Sequence, residues 1–312
     1  MTLGNVRAAV VRDITDIAHP TTRCTIYGGT FHRFVDATHV SYIASQASRP
    51  DALYVIDLQT LHQALIRTLS QGVFNGVYAW SPDGKTLAYI SSDGNRAAWR
   101  LWSTGGDVTL GDLGSIPGRG VSPNSDDAMV GFSADGKYVA VEETFTATPF
   151  QIVRLSDHKL VYSRTDGTMA VWARTGATLY YRTTSGVSSW DASVGTHLVI
   201  AQGFGWIHPW AGADGKRIAY VDVDSKGYHF PGYMQLSDSQ AFRVSSRPRT
   251  RAVFLTPTLM WYRAEATCSG PNGACGLGEP TATGKPYIYD VIARTESVSI
   301  ITAFFDSWPH SP

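Results

Sequence analysis

The chain has 312 residues, 43% of them hydrophobic, and its formal net charge at pH 7 is zero. A neutral chain gives no electrostatic reason to expect a nucleic acid or an anionic membrane as partner. No run approaches the ~18 consecutive apolar residues that a membrane-spanning helix needs, so no membrane span is expected.

The first 30 residues contain two strand-like runs, Val6–Val11 and Cys24–Tyr27. One of these runs is expected to add an outer strand to the last of the repeats that follow, and so to close their array. The first 20 residues lack the apolar core of a secretory signal. This leaves two locations open: the cytoplasm, or the periplasm or exterior if a leader has been removed.

Three segments further along share one pattern, in which an apolar anchor residue, an Asp-Gly turn and an alternating apolar strand follow one another. They are Trp80-Ser-Pro-Asp83-Gly84-Lys85, Phe132-Ser-Ala-Asp135-Gly136-Lys137 and Trp210-Ala-Gly-Ala-Asp214-Gly215-Lys216. Asp-Gly between strand-like runs predicts a hairpin, because Gly tolerates the positive φ of the turn.

Weaker copies with eroded turns have their anchors at Phe34, Trp172 and Phe254. The six anchors recur at intervals of about 40–50 residues, which is typical of a propeller or another repeat array. Further strand-like runs after most hairpins bring each unit to four short strands. The sequence therefore predicts a single all-β domain over residues 1–312. Its fold is a six-bladed β-propeller of four-stranded antiparallel blades, which begin near residues 31, 77, 129, 169, 206 and 252.

With the turn and both flanking strands matching together, residues 31–305 resemble the TolB-like propeller repeats, also described as WD40-like PD40 repeats. The resemblance implies the propeller fold over nearly the whole chain. It does not imply one function, since such propellers serve as binding modules, regulatory domains and enzymes.

In a propeller, the starts of first strands and the ends of second strands share one rim around the central channel. The positions two residues before the anchors are His32, Tyr78, Val130, Ala170, His208 and Ala252. The second strands end at Ser91, Glu143, Thr183, Asp222 and Arg263. We therefore expect His32 and His208 to converge on one sector of the channel, with Asp222 roughly opposite His208 across its hairpin.

Two histidines with one or two carboxylates are sufficient ligands for Zn or Mn. Such a metal activates water and polarises a carbonyl or phosphoryl oxygen. In this interpretation His32 and His208 are metal ligands and Asp222 and Glu143 are catalytic carboxylates. Arg263, with Arg182 as a possible helper, faces a developing oxyanion.

Three further residues are predicted to contact a substrate. Tyr78 lies at the predicted rim, and Trp206 is placed to wall an apolar pocket beside His208. His229 belongs to the loop Asp222–Gly232, which is interpreted as a lid or specificity loop.

These residues predict a metal-assisted hydrolase of esters or phosphoesters, of phosphotriesterase, arylesterase or lactonase type. Stand-alone six-bladed propeller hydrolases of that kind hold a metal in the channel, mostly through carboxylates and asparagines. By this architectural likeness, Asn75 and Asn124 are candidate oxygen ligands for Ca. No Walker loop or dinucleotide fingerprint is present, so no nucleotide cofactor is expected.

The alternative function is a non-enzymatic propeller that binds a protein or glycan on its rim. In that case the histidines are packing residues, and Glu142 and Glu143 form a solvated strand end. The basic run from Arg243 through Arg247 and Arg249 to Arg251 is then a solvated connector or a receptor for an anionic ligand.

The chain contains three cysteines. Cys268 and Cys275 lie in a Gly-rich loop, where they form either a disulfide or two free thiols. Cys24 is predicted to be a small buried apolar residue.

Overall fold

The computed structural model describes residues 8–46, 49–69, 72–92, 96–115, 129–142, 150–201, 206–264 and 285–301. Strands are the only regular elements there. None of these residues belongs to a helix that could span a membrane. The described strands fall into two compact units, β1–β10 and β11–β26.

The first unit contains an N-terminal hairpin and two four-stranded sheets. The N-terminal hairpin is β1 (Ala8–Asp13) and β2 (Thr21–Tyr27). Sheet I is β3 (Thr30–Phe34), β4 (His39–Gln46), β5 (Arg49–Asp57) and β6 (Gln63–Thr68). Sheet II is β7 (Gly72–Trp80), β8 (Leu87–Ser92), β9 (Arg96–Ser103) and β10 (Gly106–Ser115).

The second unit contains four sheets of the same kind. Sheet III is β11 (Met129–Phe132), β12 (Tyr138–Glu142), β13 (Phe150–Arg154) and β14 (Lys159–Arg164). Sheet IV is β15 (Thr168–Trp172), β16 (Thr178–Thr183), β17 (Gly186–Asp191) and β18 (Gly195–Ala201). Sheet V is β19 (Ile207–Ala211), β20 (Arg217–Val223), β21 (His229–Gln235) and β22 (Ala241–Arg243). Sheet VI is β23 (Arg249–Phe254), β24 (Leu259–Ala264), β25 (Tyr287–Asp290) and β26 (Thr295–Val298).

Each four-stranded sheet is an antiparallel meander of consecutive strands, which is the repeating blade of a β-propeller. The six predicted repeats correspond to sheets I–VI, and the N-terminal hairpin is a seventh, two-stranded sheet. The all-β propeller predicted from the Asp-Gly repeats is thereby confirmed.

The strands of the N-terminal segment pair with each other, and sheet VI contains four strands of its own. The hairpin has an apolar face on β2, where Cys24 and Ile26 pack against Val40, Tyr42 and Ile56 of sheet I. The expected closure of the array by residues 1–30 stays a prediction.

The Asp-Gly turns lie inside longer loops than a two-residue hairpin. In sheet III, Gly136 N–H donates to the Ser133 carbonyl (2.9 Å) and Ser133 N–H donates to the Tyr138 carbonyl (2.9 Å). Asp135 Oδ1 accepts from the Ser133 hydroxyl (2.7 Å) and the Lys137 N–H (3.1 Å). Gly136 has a φ of 68°, where a Cβ would be strained.

Replacing Asp135 by alanine should lower the free energy of unfolding by about 1 kcal/mol, because the turn loses both acceptor bonds. Urea denaturation measures the change. Lys137→Ala is the matched control, since it removes only an exposed ammonium 3.4 Å from Asp135 and should cost much less. Equal losses in both variants would contradict the proposed role of the Asp135 carboxylate.

The pairing of the first strand with the second has a register shift in every described sheet except sheet III. In sheets I, IV and VI the irregularity is a bulge that contains a non-glycine residue of positive φ: Phe31 (56°), Met169 (54°) and Arg251 (55°). Each lies three residues before its anchor. A left-handed residue that is not glycine costs about 1 kcal/mol, so repeating it indicates a positional role.

Candidate functional site

His32 directly follows the left-handed Phe31 in the bulge of β3. Its Nε2 is buried and has no hydrogen-bond partner among the described residues, while its ring lies 5.6 Å from that of Tyr42. Burial lowers the pKa of His32 below its ordinary 6.5; a hydrogen bond to the Gly28 backbone opposes this, and the charge of Arg33 adds to it. Burial therefore favours the neutral ring, whose Nε2 has no hydrogen-bond partner among the described residues.

Tyr78 lies between sheets I and II and is almost fully buried. Its hydroxyl donates to the Phe31 carbonyl and lies 3.2 Å from the Ser41 hydroxyl. The structure therefore gives Tyr78 a packing role that fixes the bulge before His32. Its contact with a substrate stays a prediction.

Asp222 does not oppose His208. Ile207 pairs with Val221 and Trp210 pairs with Ala219, so His208 lies inside the bulge of β19 and Asp222 lies beyond it. The expected alignment is wrong: a regular ladder continued from Trp210 and Ala219 would already place Val221 opposite His208, and the bulge moves the pairing one residue further. The side chain of His208 is outside the described atoms, and its ligand role stays a prediction.

The Asp222 carboxylate instead forms an ion pair with Arg243 on β22. The guanidinium of Arg243 also lies over the ring of Phe230, 4.1 Å from its centroid. Asp222 pairs with Phe230 along the ladder, which places these groups together on sheet V. A catalytic Asp222 would therefore act while its carboxylate is paired with Arg243.

Trp206 and His229 are both fully buried. Trp206 donates from Nε1 to the Met169 carbonyl (2.9 Å) and stacks on Tyr220 at 5.5 Å. His229 pairs with Val223 as the first residue of β21, so it is not part of a lid. The loop predicted over Asp222–Gly232 is wrong in length, because the ladder continues and leaves only a turn from Asp224 to Tyr228. Substrate contacts for both residues stay predictions.

Arg263 is half-buried on β24, opposite Thr250. Glu143 lies outside the described residues, as do Asn124, Cys268 and Cys275, and the side chain of Asn75 is not described. Cys24 is buried and free, as predicted.

Glu142 is a buried carboxylate whose structural role the sequence did not reveal. It was expected to be part of a solvated strand end, yet it is only 3% exposed. Its Oε1 accepts from the Met169 N–H (2.7 Å) and its Oε2 from the Ala170 N–H (3.0 Å). These donors are released from the ladder by the bulge of β15. No local signal marks this contact, because the partners are 27 and 28 residues away in the chain.

Within the described part of the chain, no group of three or more His, Cys, Asp or Glu side chains is arranged to hold a metal ion. The predicted metal set depends on Glu143 and on the side chain of His208, which are not described. His32 is thus the one predicted ligand whose surroundings can be assessed.

No family model and no curated protein matches this sequence. Solved structures do match. A puromycin-hydrolyzing peptidase of Mycobacterium tuberculosis has a TM-score of 0.58 and 12% identity, covering 90% of this chain and 48% of that chain. An oligogalacturonate lyase in complex with manganese has a TM-score of 0.56 and 11% identity, covering 95% and 86%. TolB from Acinetobacter baumannii has a TM-score of 0.47 and 16% identity, covering 90% and 57%.

The chain therefore spans about half the length of the TolB and peptidase chains that it matches. At these identities the likeness concerns the fold. Together with sheets I–VI, the likeness to the peptidase and lyase structures establishes an all-β propeller.

Proposed function

We propose that this propeller binds a divalent metal through Nε2 of His32 and hydrolyses an ester or phosphoester there. The observation that carries the proposal is the buried Nε2 of His32, which has no hydrogen-bond partner among the described residues. Histidines that bind metals use a neutral ring and commonly donate their other N–H to a backbone carbonyl or a carboxylate. Burial disfavours the cation of His32, and the Gly28 backbone forms a hydrogen bond with the ring.

A bound Zn or Mn would supply an activated water and a Lewis acid for the substrate oxygen. The residues of the chain would supply position. The Phe31 bulge and the Tyr78 hydroxyl that bonds its carbonyl fix the backbone before His32. The roles of His208, Glu143 and Asp222 as ligands or bases and of Arg263 as oxyanion contact, all in the second unit, stay predictions. The manganese complex of the oligogalacturonate lyase supports the idea that a propeller of this kind accommodates a divalent metal.

The test is the metal content of protein purified without added metal and then exposed to Zn, Mn or Ca. We expect about one metal per chain in the wild type, lost in His32→Ala and in His208→Ala. His62→Ala is the matched control, because it removes an exposed histidine of the same unit and should keep the metal. Hydrolysis of an aryl ester and a phosphotriester is then measured before and after chelation.

A second readout concerns the His32 ring itself. Its NMR titration midpoint should lie below 6.5, and stability should fall as pH drops through that window, because the unfolded chain then binds more protons than the folded one. Wild-type protein that stays metal-free after soaking would overturn the proposal. A titration midpoint at or above 6.5 would remove its physical basis.

The second candidate is a binding propeller for a protein or glycan, without chemistry. It is favoured by the cluster of arginines where the chain passes from sheet V to sheet VI, which provides positive charge for a ligand. A periplasmic or secreted location suits either function and stays a proposal.

A further inference from the structure

The segment from the end of β22 to the start of β23 concentrates positive charge in a chain that has no net charge. Within nine residues lie Arg243 at the end of β22, Arg247 in the connection, and Arg249 and Arg251 in β23. The structure distinguishes these residues. Arg243 is neutralised by Asp222, Arg247 is exposed, and Arg249 is buried at the start of β23.

The guanidinium of Arg249 contacts an aromatic ring and a backbone carbonyl. Its guanidinium lies over the ring of Tyr287, 4.5 Å from the centroid, and its Nη1 donates to the Pro248 carbonyl (3.0 Å). Tyr287 in turn stacks on Tyr262, with 6.1 Å between ring centroids. The side chain is 8% exposed. The tyrosine pair therefore fixes the plane of the guanidinium while leaving a small part of the side chain open to solvent.

Arg249 has no counter-ion among the residues that the structure describes. Its Nε is buried without a hydrogen-bond partner, and no described carboxylate forms an ion pair with it. The nearby carboxylate of Glu296 accepts from the Tyr262 hydroxyl instead. Removing a charge from water is unfavourable unless it is paired and hydrogen-bonded, so a buried guanidinium of this kind is unsatisfied.

A ligand of negative charge would satisfy it. Tyr287 covers the face of the guanidinium, but its N–H donors lie in the plane, and the buried Nε has no hydrogen-bond partner among the described residues. In-plane donors of a guanidinium match the two oxygens of a carboxylate or phosphate. Arg263 does not belong to this site, because it pairs with Thr250, whereas Arg249 pairs with Ala264 on the opposite face of the sheet.

We propose that Arg249 is the centre of an oxyanion-binding site, which takes a carboxylate or phosphate group of a ligand. The exposed Arg247 lies two residues away and adds positive charge at the entrance. Tyr287 orients the guanidinium of Arg249, and the ligand supplies a negative charge to pair with it. The site is independent of the proposed metal and lies wholly within the second unit.

The experiment measures the melting temperature and the binding isotherm with inorganic phosphate and, separately, with succinate. The protein is first stripped with a chelator, so that no anion is held by a metal, and ionic strength is kept constant with chloride because charge pairs are screened by salt. Wild-type protein should melt at a higher temperature with at least one anion. Preference for phosphate or for succinate identifies which group the ligand carries.

Arg249→Gln should bind that anion about tenfold more weakly or worse, and it should melt no lower than the wild type without ligand, because an uncompensated buried charge is gone. If the role of Arg249 were purely structural, Arg249→Gln would instead melt at a lower temperature than the wild type. Arg249→Lys keeps the charge but lacks the planar fork, so it should bind more weakly than the wild type even if the glutamine variant fails to fold.

Arg294→Gln is the matched control, since it removes the same charge from an exposed position beside β26 and should keep the response. The proposal is overturned if neither anion stabilises the wild type. It is also overturned if Arg249→Lys binds as the wild type does, or if the response persists in Arg249→Gln, which would indicate an adventitious ion only.

Discussion

Replacing Glu142 by alanine is expected to lower the free energy of unfolding by about 4 kcal/mol. The substitution removes two charge-assisted hydrogen bonds, to the N–H groups of Met169 and Ala170, and leaves both donors unsatisfied in a buried place. The bulge of β15 prevents these groups from returning to the ladder. Thermal and urea denaturation of the full chain measure the loss.

Glu142→Gln should lie between the wild type and the alanine variant. Its amide retains one acceptor oxygen but turns an NH2 group toward the second N–H donor. Asp157→Ala serves as the comparison, because it removes an exposed carboxylate from a surface ion pair with Arg154 and should change stability little. If Glu142→Ala were as stable as Asp157→Ala, the contact between sheets III and IV would contribute nothing measurable.

Replacing Gly232 by alanine is expected to cost about 3 kcal/mol, because the new methyl group has no room. A Cβ at this position would lie 2.7 Å from the Phe242 carbonyl oxygen and 2.7 Å from Cζ of Tyr220. Neither neighbour gives way easily: the oxygen belongs to the adjacent strand, and the Tyr220 ring is buried against Trp206.

Gly176→Ala separates this steric cost from conformational strain. Gly176 has a φ of 67°, but nothing lies within 4 Å of the position its Cβ would take, so only the backbone cost of about 1 kcal/mol is expected. The difference in unfolding free energy between the two variants isolates the clash. Equal losses would mean that the Tyr220 ring moves aside at no cost.

The repeats were predictable because their determinants are local. Asp83 and Asp135 each lie within two residues of the groups that they bind, and the glycine that follows each has a positive φ. Any short window of sequence therefore contains the whole physical cause of the turn. The N-terminal hairpin was not predictable in the same way, since its partner surface is the face of sheet I rather than a neighbouring segment.

The candidate site was less predictable, because bulges break the alternation on which the reasoning depended. His208 was predicted roughly opposite Asp222, but the ladder pairs Ile207 with Val221, and His208 falls in the bulge of β19. The count back from the anchors also selected His32, whose role stays a prediction. Whether its Nε2 would have a partner depends on packing, which no spacing in the sequence reveals.

Met169 shows what such a bulge does to the behaviour of the whole second unit. Its N–H is bound by a carboxylate from sheet III, and its carbonyl is bound by the Trp206 indole before sheet V. Stacked repeats can in principle melt one at a time, with energies that add between neighbours. Here the backbone of a single residue serves three successive repeats. Losing any one of them exposes unsatisfied groups in another, so sheets III–V should unfold in one cooperative step, and a chain cut between them should not yield an independently stable fragment.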